Sequence, residues 1–102
     1  MVKSETLVMF RTDVRGQFKG DVTAIFPLEP GTCDPSTFSC YAHIGQHCAG
    51  TWGGCFVDSR PATPTEYGPL LNELLQIGYD DLRIVKRTPR NARQVRESKI
   101  NR

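Results

Sequence analysis

Long apolar runs are missing from this sequence of 102 residues. The apolar stretch at residues 7–10 is too short for the core of a signal peptide or for a membrane span. We therefore expect a soluble, cytoplasmic protein without a membrane partner. Its four cysteines would be thiols in that compartment, whereas four cysteines in a secreted chain would predict two disulfides.

Motifs that carry catalysis or hold a cofactor are also missing. The sequence contains no phosphate loop, nucleophile elbow or paired-carboxylate motif, and its glycines within 45–54 match no dinucleotide pattern. We therefore expect no enzyme, no catalytic residue and no cofactor. An enzyme would have to use His43 or His47 as its acid–base group, with Asp34 or Asp58 as the partner.

The sequence contains some, but not all, of the closely spaced pairs of Cys and His that are typical of a zinc site. Within the segment CYAHIGQH at 40–47, Cys40-x2-His43 and His43-x3-His47 have usable spacing, and Cys48 follows. The sequence has no Cys-x2-Cys pair, however, and residues 40 and 43 of a strand would point to opposite faces. We predict no tightly bound metal. If a metal binds, the predicted ligands are Cys40, His43, His47 and Cys48.

Charge is distributed unevenly along the chain. Residues 86–102 hold seven Lys or Arg and one Glu, which gives a net charge of +6. The remaining residues hold six Lys or Arg and ten Asp or Glu, which gives a net charge of −4. A basic segment of this kind is typical of an arm that follows phosphates or folds on an acidic partner. The predicted nucleic-acid- or acidic-partner-binding residues are Lys86, Arg87, Arg90, Arg93, Arg96, Lys99 and Arg102.

The basic segment defines the predicted domain organisation. We predict a single α+β domain at 1–87 and a basic tail at 88–102 that is flexible or conditionally helical. The tail contains no aromatic residue, so base stacking is not its expected mode of binding. The alternative is a solvated terminus that only aids solubility.

Strands and one helix are indicated by the spacing of apolar residues. Runs rich in β-formers predict strands at 6–11, 21–26, 38–44 and 83–86, with a shorter one at 55–57. Thr63, Pro64 and Glu66 form a capping box, and leucines at helical spacing predict an amphipathic helix over 64–77 that ends at Gly78. Pro69 predicts a kink or a later start of this helix.

These elements predict an α+β fold. We expect a small antiparallel or mixed sheet of three to five strands, with one amphipathic helix packed on one face and a basic C-terminal tail. The predicted core residues are Leu7, Met9, Ile25, Tyr41, Leu71, Leu74 and Val85.

Three segments resemble a group of small proteins of phages and bacterial mobile elements: DVTAIFP, CYAHIGQH and PATPTEY. The group shares an apolar-Phe-Pro strand, a Tyr-x-His-x-Gly-Gln-His segment and a Pro-Ala-Thr-Pro-x-Glu-Tyr helix start. The similarity extends over residues 7–87 and excludes the tail. It implies an accessory protein of a mobile genome in the cytoplasm of a bacterial host, and it implies no activity and no functional residues.

The predicted function is binding without catalysis. We expect an inhibitor or adaptor that binds a host or defence-system protein or nucleoprotein, and the alternative is a nucleic-acid-binding module that uses the tail. A small zinc-binding domain or Cys/His enzyme is a further alternative. Aromatic and polar residues on loops beside a sheet are typical of recognition surfaces. The predicted partner-binding residues are Tyr41, His43, Gln46, His47 and Trp52.

His47 and Trp52 also have a structural interpretation. Trp52 would then pack in the core, and His47 would tie down its own loop.

Overall fold

Six strands and two helices make up the part of the chain that the computed structural model describes, residues 6–15, 19–42, 46–50 and 59–101. The strands are β1 (Thr6–Asp13), β2 (Val22–Phe26), β3 (Phe38–Ala42), β4 (Gln46–Gly50), β5 (Ser59–Pro61) and β6 (Leu82–Ile84). The helices are α1 (Pro64–Gln76) and α2 (Ala92–Ile100).

The sheet is mixed. Five strands are antiparallel, in the order β4-β3-β2-β1-β5, and β6 pairs parallel to β1. This arrangement confirms the predicted α+β class. Neither described helix combines the length and the apolar composition needed to cross a membrane.

Two strands lie where the sequence predicts none. Glycines and polar residues around β4 suggested a turn, yet its backbone pairs with β3 from the register partners Phe38↔Gly50 to Ala42↔Gln46. The strand β5 has only three residues, and it ends at Pro61, which is tolerated at a sheet edge because no ladder partner needs its missing N–H. The strand predicted at 55–57 lies outside the described residues.

Apolar side chains cover both faces of the sheet. On one face they pack against two buried leucines of α1, and this cluster comprises Val8, Phe10, Ala24, Phe26, Tyr41, Leu70 and Leu74. The cluster on the other face comprises Met9, Ile25, Phe38 and Cys40, with Val85 packed against it. The two clusters alternate along β1, β2 and β3 because successive side chains of a strand point to opposite faces.

The predicted core residues fall into two groups. Met9, Ile25, Tyr41 and Leu74 are buried, as predicted. The other three, Leu7, Leu71 and Val85, are half-buried. Leu71 packs against the edge of the first cluster, whereas Leu70 and Leu74, one helical turn apart, are buried in it.

Helix α1 begins at Pro64, not at Pro69. The Thr63 hydroxyl accepts a hydrogen bond from the Glu66 N–H at 3.3 Å, and the Glu66 carboxylate accepts one from the Thr63 N–H at 2.8 Å. This reciprocal pair is the predicted capping box. Pro69 lies inside the helix, and the helix tolerates it because Pro69 and Thr65 are both exposed, so water can reach the carbonyl that loses its donor.

The C-terminal end of α1 is closed by Gly78. Its φ of +121° is in the left-handed region that favours glycine. The Gly78 N–H donates to the Leu75 carbonyl at 3.3 Å and the Tyr79 N–H to the Leu74 carbonyl at 3.1 Å. This is a Schellman motif, and it confirms the predicted helix end.

The segment after β6 crosses to the second face of the sheet. Val85 packs against that face, and the Thr88 hydroxyl donates to the thioether sulfur of Met9 at 3.6 Å. Helix α2 follows, with Ala92 and Arg96 buried. This helix lies within the segment 88–102 that the sequence predicts as a basic tail.

Neighbouring leucines of α1 provide a test of this packing. Leu74 is 0% exposed and Leu75 is 48% exposed. We expect Leu74→Ala to lower the free energy of unfolding by roughly 2–5 kcal/mol, because it leaves a cavity in the core. The matched change Leu75→Ala should cost less than about 0.5 kcal/mol. Urea denaturation followed by circular dichroism measures both, and equal losses would contradict the placement of α1.

Candidate functional site

The segment CYAHIGQH begins in the core. Tyr41 is 1% exposed, and its hydroxyl donates a hydrogen bond to the Glu73 carboxylate of α1 at 2.9 Å. The ring therefore links β3 to the helix that covers it. This placement corrects the prediction of Tyr41 as a partner-binding residue, because a buried ring offers no surface to a partner.

The remaining residues of that predicted surface are described only in part. Gln46 and His47 belong to strand β4, in which His47 is the register partner of Tyr41. The prediction that this part of the surface is a loop is therefore corrected. Their side chains, and all of His43 and Trp52, lie outside the described part of the structure, so their role in binding stays a prediction.

The candidate metal ligands are described only at Cys40. Its side chain is buried in the second apolar cluster, beside Met9 and Ile25. The described residues contain no group of three or more His, Cys, Asp or Glu that could hold a metal ion. His43 and the side chains of His47 and Cys48 lie outside that description, so the absence of a bound metal stays a prediction.

Arg96 of α2 points into the protein. Its side chain is 2% exposed, and it donates to two backbone carbonyls, from Nη1 to Pro27 at 2.7 Å and from Nε to Pro35 at 2.9 Å. Burial lowers the pKa of Arg96, with a smaller effect from the nearby charge of Arg93. The prediction of Arg96 as a partner-binding residue is thereby corrected, because its guanidinium is already enclosed.

Lys99 provides a second anchor for α2. Its ammonium group forms an ion pair with the Glu29 carboxylate, with 2.5 Å between Nζ and Oε1. Lys99 follows Arg96 by three residues, so both side chains leave neighbouring positions of the helix. Together they hold α2 against the loop at 27–36.

That loop is ordered by its own hydrogen bonds. The carboxylate of Asp34 accepts from the backbone N–H of Ser36 at 2.9 Å and from its hydroxyl at 2.8 Å. These bonds are the main cause that lowers the pKa of Asp34, and Arg93 also lowers it through its nearby charge. These bonds fix the backbone around Pro35, whose carbonyl accepts from Arg96.

The four basic residues before Arg96 are exposed: Lys86, Arg87, Arg90 and Arg93. We call them the basic patch. Within the described part of the chain, Lys86, Arg87 and Arg90 form no ion pair. The anchors in α2 therefore fix a chain segment whose other cations face solvent. Arg102 lies outside the described residues.

A cleft lies beside the basic patch, at the edge of β1. The carbonyls of Val8 and Phe10 point to the same edge, where they accept from the N–H groups of Val85 and Ala62, both at 2.9 Å. Strand β6 runs along β1 from Thr6 to Val8, and β5 runs from Asp13 back to Arg11. The two strands therefore run toward each other along the same edge of β1, and each leaves this edge before their ends meet.

This divergence leaves a cavity of about 360 Å³, which we call the edge cleft. The rings of Phe10 and Tyr67 contribute to its wall and stack with their centroids 4.5 Å apart. Arg11 and Lys86 also line the cleft, so Lys86 belongs both to the cleft and to the basic patch. The cleft offers an apolar interior with cations at its border.

The position of Arg11 is fixed by Ser59. The guanidinium donates from Nε to the Ser59 hydroxyl at 3.0 Å and from Nη2 to the Ser59 carbonyl at 2.6 Å. Partial burial lowers the pKa of Arg11. Arginine nevertheless stays charged in a protein, and this cation is held in place at the border of the cleft.

The carboxylate nearest to the N-terminus of α1 is neutralised. Glu66 accepts from Nη1 of Arg60 at 2.7 Å and from Nη2 at 2.5 Å, and also from the Thr12 hydroxyl at 3.3 Å. The Arg60 pair and the Thr63 N–H lower the pKa of Glu66 to about 2. The negative charge of Glu66 is therefore balanced by Arg60, and it does not offset the cations of the cleft.

Sequence patterns gave no sign of the edge cleft. Its walls come from β1, from β5 and the start of α1, and from the end of β6, and these segments are far apart in the chain. The division of the basic tail into inward and outward side chains also depends on what α2 packs against. In the sequence, basic residues recur at every third position from Arg90 to Arg102, and this period distributes their charges around a helix.

Comparisons of the chain with models of protein families, with curated proteins and with solved structures found no match. The functional argument therefore depends on the geometry of the basic patch and the edge cleft.

The Glu66–Arg60 pair predicts a dependence of stability on pH. The pKa of Glu66 is about 2 in the folded state against an ordinary value of 4.5, so the carboxylate stabilises the fold above pH 4.5. This contribution is lost as the pH falls from about 4.5 to about 2. We expect Glu66→Gln to flatten the fall of the urea midpoint in that range. The control Glu97→Gln, an exposed residue of α2, should keep the wild-type slope, and equal slopes in all three proteins would contradict the pair.

The anchoring of α2 by Arg96 predicts a second difference. Arg96→Ala should lower the free energy of unfolding by roughly 1–3 kcal/mol, because the Pro27 and Pro35 carbonyls lose their donor. It should also speed amide hydrogen exchange within 92–100. The control Arg93→Ala, an exposed residue of the same helix that acts on its surroundings only through its charge, should change both quantities much less. Unchanged exchange in Arg96→Ala would show that other contacts hold the helix.

Proposed function

We propose that this chain is a small non-enzymatic accessory protein of phage or mobile-element type. In this proposal it acts as an inhibitor or adaptor and binds a host or defence-system protein or nucleoprotein. The basic patch binds an acidic surface of that partner.

The observation that carries the proposal is the fixed position of the patch. Lys86, Arg87, Arg90 and Arg93 are exposed, while the next two basic residues form contacts within the protein, Arg96 in its interior and Lys99 with Glu29 at the surface. A charged segment held in one conformation loses less entropy on binding than a free arm does. Charges of this kind mainly accelerate association and select partners of opposite sign.

The edge cleft favours a protein partner over nucleic acid. A patch that only follows phosphates needs cations and hydrogen-bond donors, whereas this patch borders an apolar cavity through Lys86. Apolar pockets beside charged residues are typical of protein–protein interfaces, where buried side chains contribute most of the binding energy. The rest of the chain has a net charge of −4, from six Lys or Arg and ten Asp or Glu, which disfavours close approach to a polyanion outside the patch.

Nucleic acid remains the second candidate function, because four exposed basic residues within 86–93 could also contact a phosphate backbone. The genomic neighbourhood separates the two candidates. Adjacent defence or anti-defence genes would favour the inhibitor, and replication or packaging genes would favour nucleic acid.

Removal of charge from the patch tests the proposal. We expect the double change Arg87→Gln and Arg90→Gln to weaken binding of a fluorescein-labelled oligoglutamate peptide roughly two- to thirtyfold, because two exposed ion pairs are lost. The loss should shrink as salt is raised. Fluorescence anisotropy measures the affinity at low and at high salt.

A matched double change outside the patch, Arg15→Gln and Lys19→Gln, serves as the control and should leave the affinity unchanged. Equal losses in both variants would show an unspecific effect of net charge and would contradict the patch. A DNA duplex that binds more tightly than the peptide, with a steep dependence on salt, would favour the nucleic-acid function.

A further inference from the structure

The edge cleft has the size, lining and charge to accept one type of side chain. We propose that it binds a large aromatic side chain of the partner, presented within an acidic segment. This inference rests on the proposed function, since the acidic segment would contact the basic patch, and it adds the chemistry of the anchoring residue.

Size is the first argument. The volume of about 360 Å³ lies near the lower end of the range of roughly 300–1,000 Å³ for pockets that hold small molecules. A methyl or hydroxymethyl side chain would leave most of this space empty, and a cavity with unfilled apolar walls loses contact energy. An aromatic ring fills such a space as a rigid unit and loses little conformational entropy.

The lining is the second argument. Phe10 and Tyr67 stack almost in parallel, with 11° between their ring planes. Pro61, Pro64, Ile84 and Val85 add further apolar surface. Aromatic rings pack well in offset-stacked or edge-to-face geometry, so an incoming ring can extend this aromatic wall.

An exposed apolar residue at the border supports the same conclusion. Ile84 is 42% exposed, although it lines the cleft and ends β6. Burial of its side chain against a partner would remove that apolar surface from water. Leu75 and Ile77 are similarly exposed at the end of α1, but neither lines the cleft.

Charge is the third argument. Arg11 is held in place by Ser59, and Lys86 is exposed beside the cleft. Among the described residues that line the cleft, Arg11 and Lys86 are charged, and none is acidic. A partner segment that leaves the cleft past Lys86 would run alongside the basic patch toward Arg87 and Arg90. Acidic residues next to the aromatic anchor would then lie near cations of opposite charge.

Short synthetic peptides test the inference. The probes are acetylated and amidated pentapeptides of sequence Glu-Glu-Trp-Glu-Glu, Glu-Glu-Ala-Glu-Glu and Lys-Lys-Trp-Lys-Lys. Titration into the isotope-labelled full-length protein, followed by two-dimensional NMR, gives the affinity and the residues that respond. We expect the acidic tryptophan peptide to bind about tenfold more tightly than the acidic alanine peptide, as for burial of one aromatic ring. Its shifts should include Tyr67, Ile84 and Val85.

Two exposed isoleucines provide matched variants. Ile84→Ser should remove most of the advantage of the tryptophan peptide, since it replaces an apolar residue of the cleft. Ile77→Ser changes a residue that is similarly exposed, at 49% against 42%, and it should leave the advantage intact. Because both side chains are exposed, both variants should keep the wild-type circular dichroism spectrum.

The outcomes separate this inference from the proposed function. If both acidic peptides bind with equal affinity and the NMR signals that shift are confined to residues 86–93, the cleft is not a site for an aromatic side chain. The basic patch would then still bind acidic peptides. If the basic tryptophan peptide binds as well as the acidic one, the charge argument is wrong. If neither acidic peptide binds, both the inference and the proposed function are contradicted.

Discussion

The backbone of β1 holds the described fold together. Its eight residues pair with β2 along one edge and with two short strands, β5 and β6, along the other. Its side chains contribute Val8 and Phe10 to one apolar cluster and Met9 to the opposite one. Because β1 forms hydrogen bonds along both edges and packs apolar side chains on both faces, it positions every neighbouring element. The edge cleft follows from the same constraint, because two strands that approach head-on along one edge cannot occupy its middle.

Arg96 has a comparable role for the C-terminal segment. A buried guanidinium is costly unless its donors are satisfied, and here the Pro27 and Pro35 carbonyls accept from it. The geometry of these two bonds fixes α2 relative to the 27–36 loop, and Lys99 adds an ion pair with Glu29. The basic segment is therefore divided by packing. Arg96 and Lys99 stabilise the fold, and the other four described cations of the segment are exposed at the surface.

The patch and the cleft are linked through the ends of the same elements. Lys86 follows β6 by two residues, so the position of β6 on β1 also sets the start of the basic patch. The capped start of α1 closes the other side of the cleft at Thr63 and Pro64. The Glu66–Arg60 pair balances the carboxylate at this helix start, which leaves the border of the cleft cationic. Local capping chemistry and long-range strand pairing thus contribute to one surface.

Local features of the fold could be predicted from the sequence because their causes are local. The capping box at Thr63, the helix end at Gly78, the alternation in β1 and β2, and the α+β class all depend on residues close together in the chain. Burial of Tyr41 and Leu74 followed from the same periodicity. The charge asymmetry of residues 86–102 was likewise evident from composition alone.

The tertiary structure decided what depends on distant segments. Strand β4 has a polar, glycine-flanked sequence, and it becomes a strand because β3 offers an unpaired edge. Tyr41, predicted both as a core residue and as a partner-binding residue, lies in the core, where Glu73, 32 residues away, accepts the hydrogen bond of its hydroxyl. Arg96 could not be told from its basic neighbours, since its partners lie 61 and 69 residues away. The sequence alone determined the ends of α1, the strand alternation and the charge of the tail. Tertiary packing decided which of those charges face solvent and where a cleft opens, because both depend on contacts between segments that no local pattern specifies.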